Sequence, residues 1–150
     1  MKMSRKQGAE EARSTYINDL NEKGILLIRS VDTREVVFLT VSGKIVRMPF
    51  ANEKTKGDEW WWGLSDKEAF DFIVLLGKRH TGEWLDFVLP YSFISPLWDS
   101  LSRDKQGGVN FEIDRRSHGD YRLVLKGGRL KPINEYLGAV ESLRDAISPS

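Results

Sequence analysis

Asp71-Phe72-Ile73-Val74-Leu75-Leu76-Gly77 is apolar at consecutive positions, not at alternate ones. Successive side chains of a strand point to opposite faces, so a strand with this wording must be covered on both sides. The stretch therefore predicts a central, doubly buried strand over 71–77. Residues 84–89 form its partner, reached across the polar turn from Lys78 to Glu83.

What precedes this pair supplies one covering layer and further strands. Ala9, Ala12, Tyr16 and Leu20 recur at spacings of three and four, which predicts a helix over 8–22 that Gly24 stops. Strands follow at 25–29, 35–41 and 44–51, with Ser42-Gly43 as the hairpin turn between the last two. Pro49 has no N–H to give to a ladder, so it marks an edge, a bulge or a strand end. Residues 52–59 read as a polar loop. In the extended run Trp60-Trp61-Trp62, Trp60 and Trp62 share one face, which we assign to the core, and Trp61 takes the other.

Downstream of the central pair, Ser95 and Pro96 read as N-cap and first residue of a short helix whose apolar face is Ile94, Leu97, Trp98 and Leu101. A Gly-rich basic loop covers 102–108. Residues 109–113 and 121–126 pair as a hairpin around Ser117-His118-Gly119-Asp120. Ile133, Tyr136, Leu137, Val140, Leu143 and Ile147 fall on one stripe after Pro132, which predicts a final helix over 133–147. The expected architecture is α+β: a helix, a central mixed or antiparallel sheet and a C-terminal helix, in one domain over 1–150. Its expected core is Phe72, Val74, Leu76, Phe87, Leu89, Tyr136, Leu137, Val140 and Leu143.

Composition narrows the function classes. The 150 residues are 40% hydrophobic and 30% charged, enough for a core with a solvated surface. No apolar run reaches membrane-spanning length, and Met1 to Glu11 lacks the apolar stretch of a secretory signal. Cysteine is absent, so disulfides and thiolate metal sites are excluded, which fits a cytoplasmic location. His80 and His118 are the two histidines and stand far apart, which argues against a zinc site. A net charge of +1 gives no global basic signal for nucleic acid, though clustering of cations on one face matters more than the sum. No phosphate loop, nucleophile elbow or dinucleotide fingerprint is present.

The order of elements and its local wording resemble the PD-(D/E)XK, or restriction-endonuclease-like, superfamily. The resemblance runs from about Lys6 to Leu143. It rests on the opening helix Lys6-Gln7-Gly8-Ala9-Glu10-Glu11-Ala12, the hairpin Ser42-Gly43-Lys44-Ile45-Val46-Arg47-Met48, the strands Asp71 to Leu75 and Phe87-Val88-Leu89-Pro90, and the closing Asn134-Glu135-Tyr136 and Leu143. It implies phosphodiester hydrolysis, in which two acids hold a divalent cation and a Lys polarises the attacking water. The family's Asp stands near the start of the second strand, and its second acid two residues before the Lys on the third. Here those places hold Val36, Pro49 and Ala51. All are apolar, so the motif is degenerate and the resemblance implies a domain without hydrolytic activity and without a metal.

Three readings follow. The first is an inactive nuclease-like domain that binds nucleic acid, DNA being one candidate, or a partner protein. The second is an active Mg²⁺-dependent endonuclease with carboxylates relocated to Glu11, Glu35 and Glu53, where the competing reading is solvated surface charge. Asp32 precedes Glu35, and Lys54 follows Glu53. The third is an interaction domain that forms a homodimer or larger assembly. For nucleic-acid contact the sequence nominates loop and hairpin cations, Lys54, Lys56, Arg115 and Arg116. Arg103, Lys105, Lys126, Arg129 and Lys131 are further basic loop residues beside Gly107-Gly108 and Gly127-Gly128. His118 reads as a turn residue.

Overall fold

The computed structural model describes residues 5–30, 37–65, 69–115 and 119–144. Helix α1 is Arg5–Glu22. It buries Ala12 and Leu20, with Tyr16 and Ile17 packed beside them. It closes as the sequence predicts: the N–H of Ile25 reaches Leu20 O at 2.9 Å, the N–H of Gly24 reaches Asn21 O at 3.0 Å, and Gly24 adopts φ +82°. That left-handed turn is the reason for a glycine here, since a Cβ would crowd the following carbonyl.

The first sheet contains β1 (Leu27–Ser30), β2 (Val37–Thr40), β3 (Ile45–Arg47), β4 (Phe50–Asn52), β6 (Phe72–Lys78) and β7 (Trp84–Pro90). The first three form an antiparallel meander. Both β3 and β4 run parallel to β6, pairing Val46 with Phe72 and Phe50 with Leu76. They are two halves of one strand interrupted at Met48 and Pro49, where Pro49 lacks a donor but its carbonyl still accepts from Leu76 N at 3.1 Å. The other edge of β6 pairs antiparallel with β7 along its whole length.

A second sheet stands where a hairpin alone was expected. It consists of β5 (Glu59–Leu64), β8 (Ser102–Arg103), β9 (Val109–Arg115), β10 (Tyr121–Val124) and β11 (Leu130–Pro132), in the order β11-β10-β9-β5 with β8 on β9. The layers are thus α1, the first sheet and the second sheet. Ile73 and Leu75 of β6 pack into the core shared with the second sheet, together with Trp60, Trp62, Phe87, Phe111 and Ile113. Phe72, Val74 and Leu76 pack against α1 and the C-terminal segment. This division explains why 71–77 is apolar throughout. The buried indoles also bind the layers together: Trp60 Nε1 donates to Lys78 O at 3.2 Å and Trp62 Nε1 to Leu76 O at 2.9 Å. Gly77 makes room for them, because a Cβ there would lie 3.1 Å from the Trp62 ring.

Two helix expectations need correction. The segment after Pro90 turns helical at once, as α2 (Tyr91–Ile94), and continues as a 3-10 turn over Ser95–Ser100. Ser95 is therefore no N-cap, although Ile94 and Leu101 are buried as expected. The helix predicted over 133–147 is absent as far as residue 144; residues 145–147 lie outside the described residues. Short 3-10 turns occupy Asn134–Tyr136 and Val140–Leu143 instead. Between them Gly138 takes φ +69° and donates its N–H to Asp86 O at 2.8 Å, while Leu137 bridges Phe87 on the outer edge of β7. Backbone pairing with β7 and a left-handed glycine break the helical period, so the apolar stripe no longer selects one face.

Ile133 and Leu143 remain buried, Tyr136 and Val140 are half-buried, and Leu137 is 38% exposed. Leu137→Ala is therefore expected to cost under about 1 kcal/mol, against roughly 2–5 kcal/mol for deeply buried leucines. A melting temperature that falls as far for Leu137→Ala as for Leu75→Ala would restore the helical packing. Among the described residues no helix is long and apolar enough to cross a membrane.

Candidate functional site

Strand pairing and side-chain chemistry decide what each nominated residue can do. Of the three places where the nuclease pattern needs acids and a lysine, Val36 lies outside the described residues. Pro49 is buried at the interruption between β3 and β4. Ala51 opposes Gly77 in the sheet and packs against the core. Neither side chain offers an oxygen or an ammonium.

Among the relocated carboxylates, Glu35 lies outside the described residues and Glu11 is exposed on α1. Glu53 follows β4 directly, with its side chain 7% exposed. Its carboxylate accepts the N–H of Asp58 at 2.6 Å and the N–H of His80 at 2.7 Å. Burial pushes the Glu53 carboxyl up, but these two donors and the nearby charges of His80 and Arg79 outweigh it and hold the pKa below the usual range. Glu53 thus fastens the 54–58 loop and the 79–82 turn to the strand end.

Elsewhere, one trio among the described residues brings its carboxylate oxygens within 4.8 Å of one another: Glu59, Glu112 and Asp114. Register assembles it. β5 and β9 pair with Glu59 opposite Asp114 and Trp61 opposite Glu112, on the face turned away from the core. Burial pushes Glu112 up, and the hydrogen bond and charge of Glu59 push it further. Burial pushes Glu59 up too, but hydrogen bonds from Lys56, Glu112 and Lys54 together hold it below its usual value. Lys54 Nζ stands 3.2 Å from Glu59 Oε1, and Lys56 pairs with Glu59 Oε2. The lysines nominated for phosphate contact are thereby turned onto an acid, and Glu59 of the trio is paired by its own loop.

The remaining nominees divide in the same way. Arg115 lies 3.6 Å from Asp58 Oδ1 and over the Tyr121 ring, while Arg116 and His118 lie outside the described residues. Trp61 is 44% exposed and, with Phe50, Asn52, Lys54 and Lys56, lines an open cleft of about 730 Å³.

A second basic group forms at the end of the 95–100 turn. Lys126 Nζ donates to Asp99 O at 3.1 Å, and an Arg129 guanidinium nitrogen donates to Ser100 Oγ at 2.9 Å. Arg103 donates to Trp98 O at 3.0 Å and lies over the Trp98 ring at 5.3 Å. The sequence marks these cations only as members of basic loops. Their meeting depends on contacts 27 and 29 residues apart that no local pattern announces. Arg47 was missed as a buried group altogether: it is fully buried on β3 and donates to Ser65 O at 2.8 Å.

No family model matches the chain, and neither the curated proteins nor the solved structures yield a match.

Proposed function

We propose that this chain is a nuclease-like domain that binds nucleic acid without hydrolysing it. The observation that carries the reading is the chemistry of the third strand. Pro49 is buried at the strand interruption and Ala51 packs against the core, where hydrolysis by the resembled mechanism needs an acid and a lysine. An opening helix, an antiparallel meander and a neighbouring parallel strand are in keeping with the resemblance. Glu53, the candidate carboxylate that follows this strand, is engaged by two backbone donors.

The test is direct. Purified protein incubated with supercoiled plasmid and Mg²⁺ or Mn²⁺ should leave the plasmid intact, while mixed-sequence duplex or single strand should be bound at low salt. Affinity should fall as salt rises, with a log–log slope of about −0.9 per neutralised phosphate on duplex and about −0.7 on single strand. Metal-dependent nicking that Glu53→Ala abolishes would replace this reading by the active endonuclease. Absence of binding to both forms at low salt would remove it.

A further inference from the structure

We propose that the corner formed by residues 98–100 and the 126–129 loop is a binding surface for single-stranded nucleic acid, with phosphates on Lys126 and Arg129 and a base on the exposed Tyr91 ring that ends an adjoining aromatic row. The proposal rests on the nucleic-acid reading above and moves its contact surface away from Lys54 and Lys56.

Charge is the first argument. Three cationic side chains gather on three successive residues, Trp98, Asp99 and Ser100. Lys126 donates to a backbone carbonyl and Arg129 to a hydroxyl, and among the described residues neither has a carboxylate partner. Both side chains are exposed. By contrast, Lys54 and Lys56 both face Glu59, and Arg115 faces Asp58. The corner itself carries one acid, the exposed Asp99. Asp104, also exposed, accepts the N–H groups of Gln106 and Gly108 within its own loop. Neutral partners orient a cation without cancelling it, so the corner keeps a net positive field that an incoming phosphate would meet.

The second argument is what adjoins the cations. Arg103 stacks over Trp98, Trp98 lies 5.6 Å from Phe70, and Phe70 lies 5.4 Å from Tyr91, ring centre to ring centre. Tyr91, at the outer end of this row, is 54% exposed. Phe70 and Trp98 pack against the core and hold Tyr91 in place, so Tyr91 is the ring left open. A cationic group with an open ring beside it is what an unpaired strand requires: phosphates take the charges, and any base can stack on the ring. A duplex hides its base faces and could use the cations alone. The geometry therefore favours single strand.

Fluorescence anisotropy with a labelled oligothymidine, and with a mixed-sequence duplex of equal length, tests the assignment. Lys126→Gln combined with Arg129→Gln should weaken single-strand binding at low salt by about tenfold or more, and should reduce the log–log salt slope by about 1.4, two contacts' worth. Tyr91→Ala should weaken single strand by about tenfold and duplex by less than twofold. Lys54→Gln with Lys56→Gln should leave binding within about twofold. Circular dichroism melts of each variant establish that it folds, and the exposed Tyr91 site gives an independent readout should the double variant not fold. Wild-type affinity in both Lys126/Arg129 and Tyr91 variants, with loss in the Lys54/Lys56 variant, would overturn this surface while leaving the nucleic-acid function standing. Failure of wild-type protein to bind either oligonucleotide would remove both. Binding to phosphatidylserine vesicles that needs Lys126 and Arg129, without binding to oligonucleotide, would assign the corner to a membrane surface instead.

Discussion

Replacing Trp62 by Ala is expected to lower the unfolding free energy by about 3–5 kcal/mol, the range for emptying a fully buried large aromatic site. Trp62 is 1% exposed and sits between the two sheets, with its indole against Gly77. The substitution loses apolar burial, leaves a cavity that two paired sheets close only partly, and removes the Nε1 donor to Leu76 O. The neighbouring Trp61→Ala supplies the contrast. Its ring is on the outer face and 44% exposed, so its loss should change stability by under about 1 kcal/mol. Urea unfolding monitored by far-UV circular dichroism gives both values without relying on the tryptophan signal. Equal losses for the two variants would mean that the alternation across β5 has been assigned to the wrong faces.

Local rules made much of this fold legible. Continuous apolarity at 71–77 required cover on both sides, and the structure supplies α1 on one face and the second sheet on the other. Period-two alternation sent Trp60 and Trp62 inward and Trp61 outward. Gly24 ended α1 because the chain needed a left-handed residue there. What local rules missed depends on partners distant in sequence. The stripe at 133–147 satisfies a helical period, yet Leu137 and Gly138 are held by Phe87 and Asp86 on the free edge of β7.

The candidate sites follow the same division. Lys54 and Lys56 are recognisable as loop cations, but the acid that occupies them, Glu59, belongs to the next strand. Glu59, Glu112 and Asp114 come together only because β5 pairs with β9 in one register. A slip of one residue in β5 would send Glu59 to the face opposite Glu112 and Asp114. The 98–100 corner likewise exists only once the 126–129 loop folds across the short turn.

Glu53→Ala is expected to destabilise the protein by about 1–3 kcal/mol at neutral pH, as the loss of two charge-assisted hydrogen bonds at a solvent-accessible loop. One of those bonds goes to Asp58, whose φ of +56° makes it the non-glycine residue in a left-handed conformation among the described residues. The other holds the backbone of His80. Glu53→Gln keeps one acceptor oxygen without the charge and should fall between Ala and wild type. The pH dependence has a definite sign. Because the donors hold the folded-state carboxyl below its usual pKa, the unfolded chain takes up the proton first as pH falls. The stabilisation is therefore complete above the unfolded value of about 4.3, and it is lost as pH falls through the lower folded value. The gap between wild type and Glu53→Ala in denaturant midpoint should be full at pH 7 and should narrow progressively below about pH 4.3. A metal-ligating Glu53 would behave differently. Its carboxylate would be freed for the cation, and added Mg²⁺ would raise the wild-type melting temperature but not that of the variant. A gap that is independent of pH, or a melting temperature that rises with Mg²⁺ only when Glu53 is present, would overturn the assignment of Glu53 as the fastening of this loop.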